Sequence, residues 1–174
     1  MLEIEVKIRI GDPGEARRRL LAVGCALEKE RAVEADIFYD FSDGGLAAKK
    51  SALRLRTLRR RAWLTLKGPI RKSRSFKIRE EFESEVRDPA GFRKILKAIG
   101  LRPVFQYRKR RTSFHQGRLR ISLDETVVGN YIELEGKRSD IVRFAKKLGY
   151  ARKDFITRDY VRMIIEAGRK TEAV

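Results

Sequence analysis

The sequence predicts an α+β domain in which a closed barrel of about eight β-strands is coated by helices. About eight segments alternate apolar and charged residues with the period of two that is typical of β-strands. Four further segments carry apolar residues at helical spacing between capping residues. Because strands and helices are both amphipathic, each needs the other to bury its apolar side.

The helices are delimited by Asp or Ser at the N-cap, Pro at the first helical position and Gly just past the end. In chain order they follow Asp12-Pro13, Asp88-Pro89 and Ser139, end at Gly24, Gly100 and Gly149, and close with a fourth helix from about Thr157 to Ala167.

The strands account for most of the remaining chain. They are predicted at about 2–10, 34–41, 52–58, 62–68, 76–87, 103–114, 117–125 and 130–136. Eight strands are enough to close a barrel, which removes the exposed edges of a sheet. The segments 43–50 and 68–75 are predicted to be mobile loops.

Each predicted strand has an apolar row and a charged row, because successive side chains point to opposite faces. In the first strand Ile4 and Val6 oppose Glu3 and Glu5. An ordinary barrel turns its apolar row inward, and this remains the alternative interpretation. The helices favour the opposite arrangement, because their apolar faces need the outside of the barrel as a partner. We therefore expect charged rows in the interior, where they must pair with each other or with a charged ligand.

The charged rows contain both signs. Basic positions that could surround a polyanion are Lys7, Arg54, Arg56, Lys67, Arg79, Lys109, Arg111, Arg118 and Arg120. Acidic positions that suit a hard cation with oxygen ligands are Glu3, Glu5, Asp124, Glu133 and Glu135. Carboxylates beside a ring of Arg and Lys predict Mg²⁺ or Mn²⁺ together with phosphate.

Composition limits the partner and the environment. The 174 residues suit one domain spanning 1–174, and the net charge of +18 favours an anionic partner such as nucleic acid, an acidic membrane surface or a small polyphosphate. Cys25 and His115 are the only cysteine and histidine, which excludes a disulfide framework and a Cys/His zinc cluster built from one chain. With no long apolar stretch, the protein is expected to be soluble and cytoplasmic and not to bind membranes.

Several segments, in chain order, resemble the signatures of one known family, the CYTH proteins or triphosphate tunnel metalloenzymes. These segments are Glu3-x-Glu5-x-Lys7, Asp36-Ile-Phe-Tyr-Asp40, Ala52-Leu-Arg-Leu-Arg56, Leu64-Thr-Leu-Lys-Gly68, Arg79-x-Glu81-x-Glu83, Lys109-x-Arg111 and Leu123-Asp-Glu-Thr-Val-Val-Gly-Asn-Tyr-Ile-Glu-Leu-Glu135. Departures from the family pattern are Glu34 in place of Gln, the inverted pair Phe38-Tyr39, and Val128 in place of Leu.

The resemblance implies an eight-stranded antiparallel β-barrel that forms a triphosphate tunnel. It implies that Glu3, Glu5, Asp124, Glu133 and Glu135 hold one or two metal ions and that the basic residues hold the triphosphate. The predicted catalytic residues are Glu5, Lys7, Arg56 and Lys67, with Glu81 and Glu83 as further acids of the tunnel.

The family includes inorganic triphosphatases, thiamine triphosphatases and class IV adenylyl cyclases, so the reaction stays open between hydrolysis and formation of cyclic AMP and pyrophosphate. We favour hydrolysis of tripolyphosphate, thiamine triphosphate or ATP. The alternative from a different class is a basic nucleic-acid-binding module, which the net charge of +18 motivates. Nucleic acid is not expected as the main ligand, because a reader of the phosphate backbone does not need carboxylates on the same faces. A homodimer is a further possibility.

Overall fold

The computed structural model describes residues 2–168, in which eight strands close into one antiparallel barrel. The strands are β1 Leu2–Ile10, β2 Ala26–Phe41, β3 Ala52–Leu58, β4 Arg61–Lys67, β5 Lys77–Val86, β6 Leu101–Gln116, β7 Leu119–Thr126 and β8 Gly129–Glu135. Around the barrel they run β1-β5-β4-β3-β2-β6-β7-β8, and β8 pairs again with β1. This confirms the predicted fold class. The predicted domain 1–174 also includes residues 1 and 169–174, which lie outside the described residues.

Five helices accompany the barrel in the described part of the chain: α1 Pro13–Ala22, α2 Gly45–Ala48, α3 Pro89–Ala98, α4 Arg138–Lys147 and α5 Tyr160–Glu166. Asp12 and Asp88 cap α1 and α3 with their side chains, as the sequence predicts. The other two predicted helices shift at their starts: α4 follows Lys137, and α5 begins at Tyr160 because Asp159 caps it. Within residues 2–168, no helix is both long and apolar enough to span a bilayer.

Three local features differ from the sequence prediction. Strand β2 begins at Ala26 rather than at 34, and register shifts within 27–32 break the alternation that would have indicated a strand there. The predicted loop 43–50 contains α2, because the buried Asp40 carboxylate accepts hydrogen bonds from the backbone N–H groups of Leu46 and Ala47. A two-residue strand, β9 Phe155–Ile156, pairs with Lys7 and Ile8 of β1, just past the point where the first residue of β5 pairs with Glu5.

The apolar rows of the strands face outward, so the prediction of a charged interior is confirmed and the ordinary apolar interior is excluded. On one side Val6 and Ile121 pack with Leu20 of α1 and Ile141 of α4. On the other side Leu55 packs in a second cluster that includes Leu96 of α3. The helices and the strands thus bury each other's apolar faces.

Helix α5 closes one end of the barrel. Tyr160 and Ile164 pack with Tyr107 of β6 and Tyr131 of β8, and Val128 in the β7–β8 turn borders this cluster. Tyr160 and Ile164 are almost completely buried. The end that carries the β7–β8 turn is therefore filled by aromatic and aliphatic side chains.

The outward direction of the apolar rows gives a prediction for stability. Leu55→Ala removes a side chain that is 0% exposed and should lower the free energy of unfolding by about 2–5 kcal/mol. Phe82→Ala, on the same outer surface but 63% exposed, should change it by less than about 1 kcal/mol. Urea denaturation of the three proteins measures both values, and equal effects of the two substitutions would contradict the packing described.

Candidate active site

The inward rows of all eight barrel strands line a cavity of about 650 Å³. Its lining contains eleven Lys and Arg residues and ten Asp and Glu residues. The interior is therefore close to neutral, and side chains outside the cavity carry almost all of the net charge of +18. The charge of the whole chain is a poor guide to the cavity.

Most of the predicted site residues do meet in this cavity. Those that line it are Glu3, Glu5, Lys7, Arg54, Arg56, Lys67, Arg79, Glu81, Glu83, Lys109, Arg111, Arg120, Glu133 and Glu135. Arg118 does not line it and is exposed. The predicted strand 117–125 starts later, at Leu119, so Gly117 and Arg118 form the β6–β7 turn.

Asp124 lies behind the cavity wall as the centre of a buried hydrogen-bond network. Its two carboxylate oxygens accept from Lys109 Nζ at 3.0 Å, from Arg111 Nε and Nη2 at 2.6 and 2.5 Å, and from the Tyr160 hydroxyl at 2.9 Å. Burial would raise the pKa of Asp124, but Arg111 and Lys109 overcome this effect and lower it. With four donors in place, Asp124 holds these side chains together in the structure, and its role as a metal ligand stays a prediction.

A second buried pair joins strands β2 and β3. Arg56 donates to both oxygens of Asp36 at 2.7 Å, and its Nη1 lies 2.9 Å from Glu34 Oε2. Burial opposes ionisation of Asp36, yet Arg56 and Arg54 hold its pKa well below the usual range. Bidentate pairing fixes the guanidinium plane against the barrel wall.

A third set of ion pairs crosses from β1 to its neighbours. Lys7 Nζ lies 3.0 Å from Glu133 Oε2 and 3.2 Å from Glu5 Oε1, and Lys77 Nζ lies 2.8 Å from the same Glu5 oxygen. These two lysines lower the pKa of Glu5 although its burial acts in the opposite direction. Burial likewise opposes the charge of Lys7, but Glu133 and Glu5 raise its pKa.

A further group of acids is only partly neutralised, although Lys67 contacts Glu81 and Arg120 Nη1 lies 3.1 Å from Glu135 Oε1. Burial and the neighbouring Glu135 and Glu81 carboxylates raise the pKa of Glu3 to about 8. Burial also raises the pKa of Glu135, and Glu133 adds to the effect. We call Glu3, Glu81 and Glu135 the carboxylate cluster. Their mutual repulsion is the condition that a bound divalent cation relieves.

The carboxylate cluster fits a metal ion chemically, but it is not a completed coordination site. Among residues 2–168, no three His, Cys, Asp or Glu side chains are positioned to hold an ion as they stand. Lys67 Nζ contacts both oxygens of Glu81. Of the five predicted ligands, Glu3 has no ion pair with the described residues and Glu135 pairs with the exposed Arg120, while Glu5 and Glu133 lie next to them in ion pairs with lysines.

Two arginines in the cavity have unused donors. Arg79 is buried, and its side chain forms no hydrogen bond or ion pair with the part of the chain that the structure describes. Arg54 reaches Thr65 with Nη2, but its Nε also lacks a partner among residues 2–168. Between them on β4 lies Lys67, whose pKa falls to about 8 because of its burial and the nearby Arg54. We call Arg54, Lys67 and Arg79 the cationic wall.

Sequence reasoning did not assign several residues of this site to it. Glu34, Asp36, Lys77 and Tyr107 continue the inward rows of β2, β5 and β6. Alternation from Lys77 through Arg79 to Glu81 was the available signal for Lys77. Tyr160 has no such signal, because only the tertiary fold brings α5 to Asp124.

Comparison with known proteins identifies the family. The family model of the CYTH domain, which describes the sequences of its members, matches residues 1–160. The chain belongs to the CYTH domain family. A CYTH relative from Methanocaldococcus jannaschii, named "putative adenylate cyclase", is 31% identical over 142 residues, which cover 81% of this chain and 80% of the relative.

Solved structures show the same fold as this CYTH chain. A "putative adenylate cyclase" from Vibrio parahaemolyticus superposes with a TM-score of 0.82 at 18% identity, covering 95% of this chain and 98% of its own. A Pyrococcus horikoshii protein gives 0.78 at 22% identity, with 92% and 98% covered. A "putative adenylyl cyclase" from Hippeastrum, described as having a dominant triphosphatase activity, gives 0.68 at 20% identity, with 98% of each chain covered.

The raised pKa of Glu3 predicts that protons and metal compete for the carboxylate cluster. A proton occupies Glu3 below about pH 8 in the metal-free protein, so Mn²⁺ should bind more tightly as the pH rises from 6 to 8.5. The measurement is the increase in melting temperature caused by Mn²⁺ at each pH. Glu3→Gln should reduce this increase and flatten its pH dependence.

The control for this experiment is Glu80→Gln. Glu80 is next to Glu81 in sequence, but it is exposed on the outer face and pairs with Arg71. This variant should behave like the wild type. A Mn²⁺ effect that is independent of pH in the wild type, or that Glu3→Gln leaves intact, would contradict the assignment of the carboxylate cluster.

Proposed function

We propose that the protein is a divalent-metal-dependent enzyme that binds a triphosphate in the barrel cavity and hydrolyses it. The observation that carries the proposal is the cationic wall, in which Arg79 is buried without a partner among residues 2–168 and Arg54 has an unused Nε–H. Unsatisfied buried guanidinium donors are costly, and phosphate oxygens are their best-matched acceptors. The carboxylate cluster lies beside the same wall, because Lys67 contacts Glu81 and its charge opposes the rise in the pKa of Glu3.

The cationic wall would bind and orient the triphosphate. Arg54 and Arg79 offer forked donors on neighbouring sides of Lys67, so one phosphate chain can reach all three. A phosphate beside Lys67 favours its protonated form and so offsets its lowered pKa. The same groups neutralise charge that develops on the phosphoryl oxygens during transfer.

Glu3 and Glu135, supported by Glu5 and Glu133, would hold Mg²⁺ or Mn²⁺. Both ions favour oxygen ligands from a few carboxylates together with substrate phosphates, so the carboxylate cluster need not supply a full coordination shell. A bound divalent cation supplies Lewis-acid polarisation of the phosphoryl oxygens. Burial of the charged side chains in the barrel lowers their contact with bulk water, which strengthens these interactions.

A second candidate activity is that of a class IV adenylyl cyclase, because the 31% identical archaeal relative is named a putative adenylate cyclase. In that reaction the ribose 3′-hydroxyl of ATP attacks the α-phosphate and pyrophosphate leaves. The triphosphatase activity described for the Hippeastrum protein supports hydrolysis as the first choice. A nucleic-acid-binding role rests only on charge outside the cavity and does not use the paired inner rows.

Product analysis tests the proposed function. The protein is incubated with Mg²⁺ or Mn²⁺ and, separately, with tripolyphosphate, thiamine triphosphate and ATP. We expect orthophosphate release that stops when EDTA removes the metal. Cyclic AMP with pyrophosphate would identify the cyclase instead, and the absence of turnover with all three compounds and both metals would overturn the proposal.

Arg79→Ala should lower the rate of triphosphate turnover by about a hundredfold or more, as expected when a clamp on transferring phosphate is removed. Because Arg79 has no ion pair with the described residues, the substitution leaves no buried carboxylate without its partner, and the fold should persist. Arg71→Ala is the matched control, since Arg71 lies on the outer surface and pairs with Glu80. Similar rates for Arg79→Ala and Arg71→Ala would contradict the role of the cationic wall.

A further inference from the structure

One end of the cavity differs from the rest in chemistry. Along the β3–β4 hairpin the inward rows change from Arg54 and Arg56 to Leu58 on β3, and from Lys67 and Thr65 to Trp63 on β4. The exposed residues Glu28, Lys29 and Arg61 also line the cavity here, so this end opens to solvent. It lies opposite the end that α5 closes, because antiparallel pairing places the β3–β4 and β7–β8 turns at opposite ends.

Trp63 is held at this mouth as a fixed, half-buried ring. The guanidinium carbon of Arg61 lies 4.9 Å from the ring centroid, and Glu85 anchors Arg61 with two hydrogen bonds of 2.8 and 3.0 Å. Cation–π contact and the bidentate pair together orient the indole without burying it fully.

The other aromatic rings of the cavity lining pack against one another or, like Tyr39 and Phe114, are almost completely buried. Phe38, Phe105, Tyr107 and Tyr160 form a chain of ring contacts with centroid separations of 6.2–6.4 Å under α5. Within residues 2–168, Trp63 has no ring partner, and its indole N–H has no hydrogen-bond acceptor. It is therefore a partly exposed ring of the cavity lining that makes no contact with another aromatic ring.

The position of Trp63 relative to the phosphate site defines what such a ligand looks like. Trp63 is the direct cross-strand neighbour of Arg56 and lies two residues from Thr65, which contacts Arg54. Side chains paired across strands in this way lie about 5 Å apart. A triphosphate on the cationic wall thus has an aromatic platform one side chain away, at the open mouth.

We propose that Trp63 stacks on the base of a nucleoside triphosphate and makes this protein selective for such substrates over inorganic tripolyphosphate. The inference rests on the proposed function and specifies its substrate class. A purine or pyrimidine presents a π-face to the indole, and stacking of this kind tolerates any base. The unpartnered indole N–H and the polar rim provide further contacts for the ribose.

Fluorescence tests the proposal directly, because Trp63 is the only tryptophan in the chain. A non-hydrolysable β,γ-imido analogue of ATP should quench its emission in a saturable way, whereas tripolyphosphate at saturating concentration should cause much less quenching. Equal responses to the two ligands would overturn the proposal. So would competition between analogue and tripolyphosphate that occurs without any change in emission.

Substitution gives an independent readout. Trp63→Ala should raise the ratio of the KM for ATP to the KM for tripolyphosphate by about tenfold, and Trp63→Phe, which retains a ring, should raise it by less than about threefold. Phe82→Ala, which removes an exposed aromatic ring from the outer face of β5, is the control and should leave the ratio unchanged. An unchanged ratio in Trp63→Ala would overturn the proposal.

The outcomes also separate this proposal from the proposed function. Turnover of tripolyphosphate without quenching by the analogue would remove the role of Trp63 and leave the triphosphatase intact. Quenching by the analogue with no turnover of any triphosphate would support the stacking site and remove the enzymatic function.

Discussion

Pairing of charges inside a closed barrel is the constraint on which this structure depends. Eleven cations and ten anions line one cavity, and each buried charge without a partner would cost several kcal/mol. Cross-strand register meets this requirement by placing Lys7 opposite Glu133, Asp36 opposite Arg56 and Arg111 opposite Asp124. The outer apolar rows and their helices then provide the favourable burial that holds the charged interior together.

Charge pairing is incomplete in one region, and the exceptions have opposite signs. Arg54 and Arg79 keep unused donors, while burial, together with neighbouring carboxylates, raises the pKa values of Glu3 and Glu135. A phosphate alone would add repulsion for the acids, and a metal alone would add repulsion for the arginines. A metal and a phosphate bound together, as proposed, would relieve both, so we expect the two ligands to bind with positive coupling.

The sequence predicts that the charged rows face inward and the apolar rows outward. This prediction needs only the alternation along each strand and the presence of amphipathic helices. It does not predict which charges pair, since that depends on register between strands far apart in the chain, such as β1 and β8. Asp124 illustrates the difference: its alternation places it inward correctly, but the donors of Arg111, Lys109 and Tyr160 occupy it. The bulged start of β2 and the short α2 were missed because a register shift and a distant capping aspartate leave no periodic signal.

Closure of one barrel end gives the cavity a direction. The ring centroid of Tyr160 lies 5.0 Å from Lys7 Nζ and 5.1 Å from Lys109 Nζ. The Tyr160 hydroxyl donates a hydrogen bond to Asp124. Helix α5 therefore contacts the charged network as well as the apolar cluster. A triphosphate that enters from the β3–β4 hairpin, as proposed, places its phosphates in the charged interior. Any organic group it carries stays near that mouth, where the inner rows change from Arg and Lys to Trp63 and Leu58.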